Sequence, residues 1–204
     1  MWYNCSIIWE DEIMDIHEAL CSRRTIRKFK QNQIQMSLLE KYVQAARLAP
    51  SAGNQQPLKY IIVSGSEMNE KVFSTLKWAG YLAPAYNPKK YEQPVAYIVV
   101  CVDLSISRGG YDMDVGAAVQ SMIMSAYEDG VGACWIGSVN REKLSGYLDI
   151  DDSLKISSVL ALGYPAESPE EVELPEDKSI EYYLDGDTLQ VPKRPVDEVL
   201  IKTL

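Results

Sequence analysis

Apolar residues recur at helical spacing in three stretches of the chain and bunch into short runs in four others. Residues 13–22 place Ile13, Ile16 and Leu20 on one helical face. Further on, Leu38, Leu39, Tyr42, Val43, Ala46 and Leu48 form a second stripe, and Ser37 with Glu40 three residues later predicts a capping box at its start. A third helix is expected from Asp112 and Asp114, whose charges suit the positive end of a helix, to about Glu128. It is apolar on most sides through Val115, Ala118, Val119, Met122 and Ile123, so it belongs in the core. Residues 60–64, 95–103, 132–138 and 156–163 are short, rich in Val and Ile, and bounded by Gly or Pro, which predicts strands. Four strands separated by helices indicate an α/β or α+β arrangement with a sheet covered on both faces.

The 204 residues are 47% hydrophobic and 24% charged, the balance of one ordinary globular domain. A net charge of −9, from 20 Lys and Arg against 29 Asp and Glu, argues against nucleic acid or an anionic membrane as partner. Much of that charge is local. Residues 166–187 hold nine acidic side chains and the single base Lys178. With Pro165, Pro169 and Pro175 breaking long helices, the segment reads as a solvated surface excursion ahead of a C-terminal arm at 188–204. The domain is taken as 13–204, behind an extension at 1–12. An apolar patch at Ile7, Ile8 and Trp9 runs straight into Glu10, Asp11 and Glu12 with no basic region before it, unlike a secretory signal. The longest apolar run, 95–102, is far below the roughly 20 residues of a membrane span, so a cytoplasmic protein is expected.

Cys5, Cys21, Cys101 and Cys134 show no CxxC pair or zinc-ligand spacing, and read as unpaired, mostly buried thiols in a reducing compartment. His17 is the only histidine, so no metal centre is expected, and on its helix it reads as partly buried and structural.

Two segments carry chemistry. Three of the seven arginines, Arg23, Arg24 and Arg27, fall within five residues, with Thr25 and Lys28 beside them. Planar guanidinium groups suit bidentate capture of phosphate or carboxylate; the plainer alternative is a solvated helix end. Residues 49–57, Ala-Pro-Ser-Ala-Gly-Asn-Gln-Gln-Pro, offer a hydroxyl and three amides, the donors and acceptors that read a heterocyclic ring edge. The alternative there is an ordinary helix-to-strand connection.

Taken together, RRTIRKF at Arg23 to Phe29, ARLAPSAGNQQP at Ala46 to Pro57, DVGAAVQSM…GVGACWIG from Asp114 to Gly137, and PKRPVDEVL from Pro192 to Leu200 resemble the nitroreductase family of FMN-dependent oxidoreductases. The resemblance implies an α+β fold with a mixed central sheet flanked by helices, built as an intertwined homodimer with FMN at the subunit interface. It implies that Arg23, Arg24, Thr25 and Arg27 contact the FMN phosphate, ribityl chain and pyrimidine edge. Pro50, Ser51 and Asn54 match the loop lying against the flavin of the neighbouring subunit. Cys134, Trp135, Ile136 and Gly137 match the segment beside the isoalloxazine, and Lys193 and Arg194 the basic pair closing on the phosphate. Residues 80–93, with Tyr81, Tyr86 and Tyr91, stand where relatives place a mobile segment lining the substrate cleft.

The implied activity is ping-pong transfer of hydride from NADH or NADPH through FMN to a small acceptor such as a nitroaromatic or quinone. No side chain is assigned as catalytic, because the flavin performs the chemistry. Charge fits: Arg23, Lys193 and Arg194 suit a phosphate, and a cation such as Arg27 favours reduced, anionic flavin. Leu58 stands where the family often has Trp, which leaves open a flavin-binding or sensing module with little turnover. A phosphate-ligand or RNA-binding domain is a third reading, disfavoured by the net charge.

Overall fold

Alternation along the central strands builds the molecule. The computed structural model describes residues 15–175 and 179–204. In chain order, α1 (Ile16–Ser22) and α2 (Met36–Arg47) lead to β1 (Leu58–Val63) and α3 (Ser66–Phe73). Then come β2 (Ala96–Asp103), α4 (Asp112–Glu128), β3 (Gly132–Ile136), α5 (Arg141–Leu148) and β4 (Leu154–Gly163). These four strands form one sheet in the order β1-β2-β4-β3, every pair antiparallel. The chain closes with β5 (Glu170–Glu173), β6 (Tyr183–Asp185), β7 (Thr188–Lys193) and α6 (Val196–Val199). In this second, small sheet β7 lies between β5 and β6, and parallel pairing enters the described residues only there, between β5 and β7.

Successive residues of β2 point to opposite faces, and both are buried. Ile98, Val100 and Val102 pack under α2 and α4 with Leu39, Tyr42, Val115 and Met122. Tyr97, Val99 and Cys101 pack on the other face with Phe29, Val72, Trp78 and Leu144. The sheet is thus covered on both sides, as its Val and Ile runs predict.

Several local expectations are corrected. α2 starts at Met36 with Gln35 as N-cap and no side-chain cap, so Ser37 lies inside the first turn and its capping box with Glu40 does not form. The carbonyl of Gln35 accepts from Leu38 (3.0 Å) and Leu39 (3.3 Å), and that winding is the one that buries Leu39. On α1 only Ala19 is buried; Ile16 and Leu20 are 76% and 48% exposed, and His17 and Cys21 are also exposed. Cys101 and Cys134 are buried, as expected. Ile13 and Cys5 lie outside the described residues.

β3 stops at Ile136 rather than Ser138. The Arg141 guanidinium accounts for the break: it donates to the carbonyls of Gly137 (3.1 Å), Ser157 (2.7 Å) and Ile156 (3.0 Å), turning the chain out of the sheet. The described residues of the acidic segment 166–187 lie largely at the surface, but they do more than solvate it. They include β5 and β6, and two of their carboxylates, the partly buried Glu167 and the exposed Glu171, bond the arginine turn.

Candidate functional site

A pair of glycines makes the floor of the site. Gly132 on β3 and Gly163 on β4 are cross-strand partners, and their missing side chains let residues 26–29 lie directly on the sheet. A Cβ on Gly132 would stand 2.7 Å from Ile26 Cγ1, and one on Gly163 would stand 2.8 Å from Phe29 Cβ. Main-chain bonds fix the crossing: the N–H of Ile26 donates to Ala133 (3.0 Å), that of Lys30 to Tyr164 (2.8 Å) and that of Ala166 to Lys28 (2.9 Å). Ile26 and Phe29 point down and are buried, which leaves Arg23, Arg24, Thr25 and Arg27 only partly covered above the β3 edge.

The three guanidinium groups have different surroundings. Arg24 donates to the Glu171 carboxylate and to the carbonyl of Arg23 (2.7 Å), so its fork is already occupied. Arg23 carries a buried Nε with no hydrogen-bond partner, and burial, then the charge of Arg24, lowers its pKa. An orphaned N–H of this kind beside a second cation calls for an anionic acceptor. The Arg27 guanidinium lies over the ring of Tyr182, 4.7 Å from its centroid. Its backbone N–H donates to Glu167, as do the N–H of Lys28 (3.1 Å) and the hydroxyl of Tyr86.

Beneath the turn, Cys134 and Ile136 face the apolar interior. Burial pushes the Cys134 thiol up to about 11, so it is not a nucleophile at neutral pH. Trp135 points the other way, 47% exposed, with its indole N–H donating to Ser158 Oγ at 2.8 Å. Gly137 follows at the strand's end, its carbonyl held by Arg141. Lys193 and Arg194 line a cleft with Glu171, which is also the partner of Arg24. Arg194 also pairs with Glu198 at 3.0 Å.

Pro50, Ser51 and Asn54 are elsewhere. Their loop leads into β1, at the opposite edge of the sheet from β3. Ser51 Oγ accepts from the N–H of Gln56 (3.0 Å), and the buried Asp114 accepts from that of Ala52 (2.9 Å). Gly53, Asn54 and Gln56 all have left-handed backbone, with φ of 56°, 55° and 53°. One chain thus lays the arginine turn on the β3 segment, shares Glu171 between that turn and the cleft of Lys193 and Arg194, and leaves the amide loop at the other edge.

Sequence reasoning gave no role to Glu167, Glu171, Tyr182 and Arg141, and it read Tyr86 only as part of a segment lining the substrate cleft, whereas its hydroxyl bonds Glu167. The paired Tyr182 and Tyr183 inside an acidic run were the one available sign that the segment packs. Among the described residues no His, Cys, Asp or Glu cluster is able to hold a metal, and no helix is long and apolar enough to cross a membrane.

Comparison with known proteins identifies the family and the fold. Residues 20–164 match the profile of the Nitroreductase family. The chain is 36% identical over 155 residues to an Archaeoglobus fulgidus protein named "Putative NADH dehydrogenase/NAD(P)H nitroreductase", covering 72% of this chain and 84% of that one. It resembles the crystal structure of a nitroreductase family protein from Clostridium novyi NT, with 26% identity, a TM-score of 0.63, and 76% and 87% of the two chains covered. A Desulfovibrio desulfuricans structure, titled a "putative nitroreductase in complex with fmn", shares the fold over 96% of this chain and 99% of its own, at 19% identity and a TM-score of 0.70. The glycine-floored arginine turn and the strand beneath it lie inside the matched span, and the chain belongs to the Nitroreductase family of oxidoreductases.

Proposed function

We propose that the protein is an FMN-dependent oxidoreductase that takes electrons from NADH or NADPH and passes them to a small acceptor, of the nitroaromatic or quinone class, in a ping-pong cycle. The observation that carries the reading is the buried, unpartnered Nε of Arg23 beside the charge of Arg24, on a turn held against β3. On this reading Arg23, Thr25, Lys193 and Arg194 hold the phosphate and ribityl end, and Arg27 meets the pyrimidine edge. Arg24 holds the turn in place through Glu171. The backbone from Cys134 through Trp135 and Ile136 to Gly137 lies along the ring system.

Bound FMN supplies the two-electron chemistry, and the protein supplies position and field. The nicotinamide enters, leaves oxidised, and the acceptor follows into the same cleft. Pro50, Ser51 and Asn54 come from a second copy of the chain, because their own loop sits at the far edge of the sheet. The exposed apolar residues of α1 (Ile16, Leu20) and of the C-terminal arm (Val196, Val199, Ile201, Leu204) support a homodimer in which each arm covers the partner.

The test is spectroscopic. Purified protein supplied with FMN is expected to be yellow and to bleach on anaerobic mixing with NADH or NADPH. Failure to take up FMN removes the proposal, and uptake without bleaching leaves a flavin-binding module with no turnover.

A further inference from the structure

The acidic strap, residues 167–185, is the feature the family resemblance does not explain. Acidic side chains beside a turn built for an anion oppose that anion unless they do something else. Two of them are engaged by the turn itself. Glu171 neutralises Arg24, and Glu167 is partly buried and accepts from three donors on two separate segments, the N–H groups of Arg27 and Lys28 and the Tyr86 hydroxyl. A merely solvating segment keeps its carboxylates in water.

The aromatic contacts follow the same plan. Lys28 lies over Tyr86 at 4.1 Å and Arg27 over Tyr182 at 4.7 Å, while Tyr81 meets Tyr182 edge-on at 4.9 Å and its N–H reaches the Tyr182 hydroxyl. Arg27 is therefore held at its backbone by Glu167 and across one face of its guanidinium by Tyr182. Among the described residues no acceptor takes up its guanidinium N–H groups.

We propose that Glu167 and Tyr182 of the strap are positioning residues for the Arg27 guanidinium, fixing its plane while leaving its N–H edge open to the ligand. A free arginine side chain has many rotamers, and ordering it beforehand removes that cost from binding. The cation then acts on the electron-rich form of a bound ring from a fixed distance, so the strap tunes reduction potential as well as affinity. The inference rests on the FMN reading above.

Two measurements test it: FMN titrated into the apoprotein, followed by flavin fluorescence, and the midpoint potential of the bound flavin. Tyr182→Ala is expected to weaken FMN binding about tenfold, the scale of a partly desolvated cation–π contact. It should also lower the potential by about 30 mV, a tenfold change in the ratio of affinities for a two-electron couple. Tyr182→Phe keeps the ring and should restore both. Glu167→Ala should weaken FMN comparably. Glu167→Gln retains an acceptor for the two N–H groups, so affinity stays near that of the parent while the potential rises, one negative charge having gone. Asp185→Asn, an exposed strap carboxylate, is the control and should change neither quantity. Tyr182→Ala and Glu167→Ala proteins that match Asp185→Asn in both measurements overturn the proposal. A parent protein that takes up no FMN instead overturns the function on which it rests.

Discussion

At the β3 edge of the sheet the arginine turn lies on a glycine floor and is braced by groups far away in the chain: Glu171 on Arg24, Glu167 on Arg27 and Lys28, Tyr182 under the Arg27 guanidinium. At the β1 edge the loop from Pro50 to Pro57 is held largely by itself. Its hydroxyl, amide and N–H groups bond one another within five residues and it bends through three left-handed positions; among the described residues its long-range hydrogen bonds join Ala52 to Asp114 and the Pro57 carbonyl to the N–H of Asp103. Left-handed backbone at Asn54 and Gln56 costs on the order of 1 kcal/mol each, a strain that persists only where the surroundings impose it. The arginine turn is fixed by the tertiary fold and the amide loop mainly by local geometry. Two halves shaped independently, on opposite edges, suit a site closed between two chains.

The most damaging way to break this contrast is Gly163→Ala. The new Cβ would meet Phe29 at 2.8 Å, and Phe29 is fully buried with no room to yield. Overpacking of this kind costs about 1–3 kcal/mol. It should lower the thermal midpoint and loosen FMN together, because the arginine turn must lift from the sheet. A variant with reduced stability but parental FMN affinity would show that the floor does not set the turn. Changes in the Pro50–Asn54 loop should have little effect on the midpoint, since so few long-range contacts hold it.

A second experiment asks whether the halves belong to one site. Arg27→Ala removes the cationic half and a Ser51→Ala, Asn54→Ala double variant the amide half, each on every chain. If one chain supplies each half, unfolding and co-refolding the two variants should produce mixed dimers with one restored site of the two. FMN stoichiometry should then rise above that of either variant alone, and no rise on mixing would mean that each chain forms its site without the other.

These expectations also show which parts of the molecule could be read from residues alone. The strands and α4 were legible because a Val and Ile run or an apolar helix repeats its signal over many positions. The arginine turn was legible because three guanidinium groups in five residues stand out in an acidic chain. Glu167 was not. It lies 140 residues from Arg27, nothing local separates it from the other carboxylates of its run, and it becomes special only when β4 delivers it beside the turn. Asp114 was read for its helix position alone, although its carboxylate ties Ala52 to α4. Ser37 misled for the opposite reason: a sound local capping rule lost to the burial of Leu39.

A smaller effect concerns the C-terminal pair. Arg194 shares the cleft of Glu171 but already pairs with Glu198, and its side chain is 49% exposed. Arg194→Ala should therefore weaken FMN by about 1.5 kcal/mol, the low end for a hydrogen bond to a charged group. A titration indistinguishable from the parent's would remove the pair from the cationic half and leave the phosphate to Arg23 and Thr25.

The mildest comparison is by alkaline titration, since one edge carries a buried acid and the other a half-buried one, both neutral at ordinary pH. Under the arginine turn, burial raises the Cys134 thiol from 9.0 to about 11, and Cys101 on β2 behaves alike. On β1, burial raises the Tyr60 phenol from 10.0 to about 12. In each case the folded chain keeps a proton that the unfolded chain gives up, so the stabilisation is complete below the unfolded value and disappears as pH climbs through the folded one. The denaturation midpoint should hold to about pH 9, fall toward 11 as the thiols are lost, and fall further toward 12 as Tyr60 follows. Cys134→Ala should flatten the first part of that decline and Tyr60→Phe the second. If neither substitution changes the slope in its own interval, the alkaline loss of stability arises elsewhere and the two edges do not titrate as their burial requires.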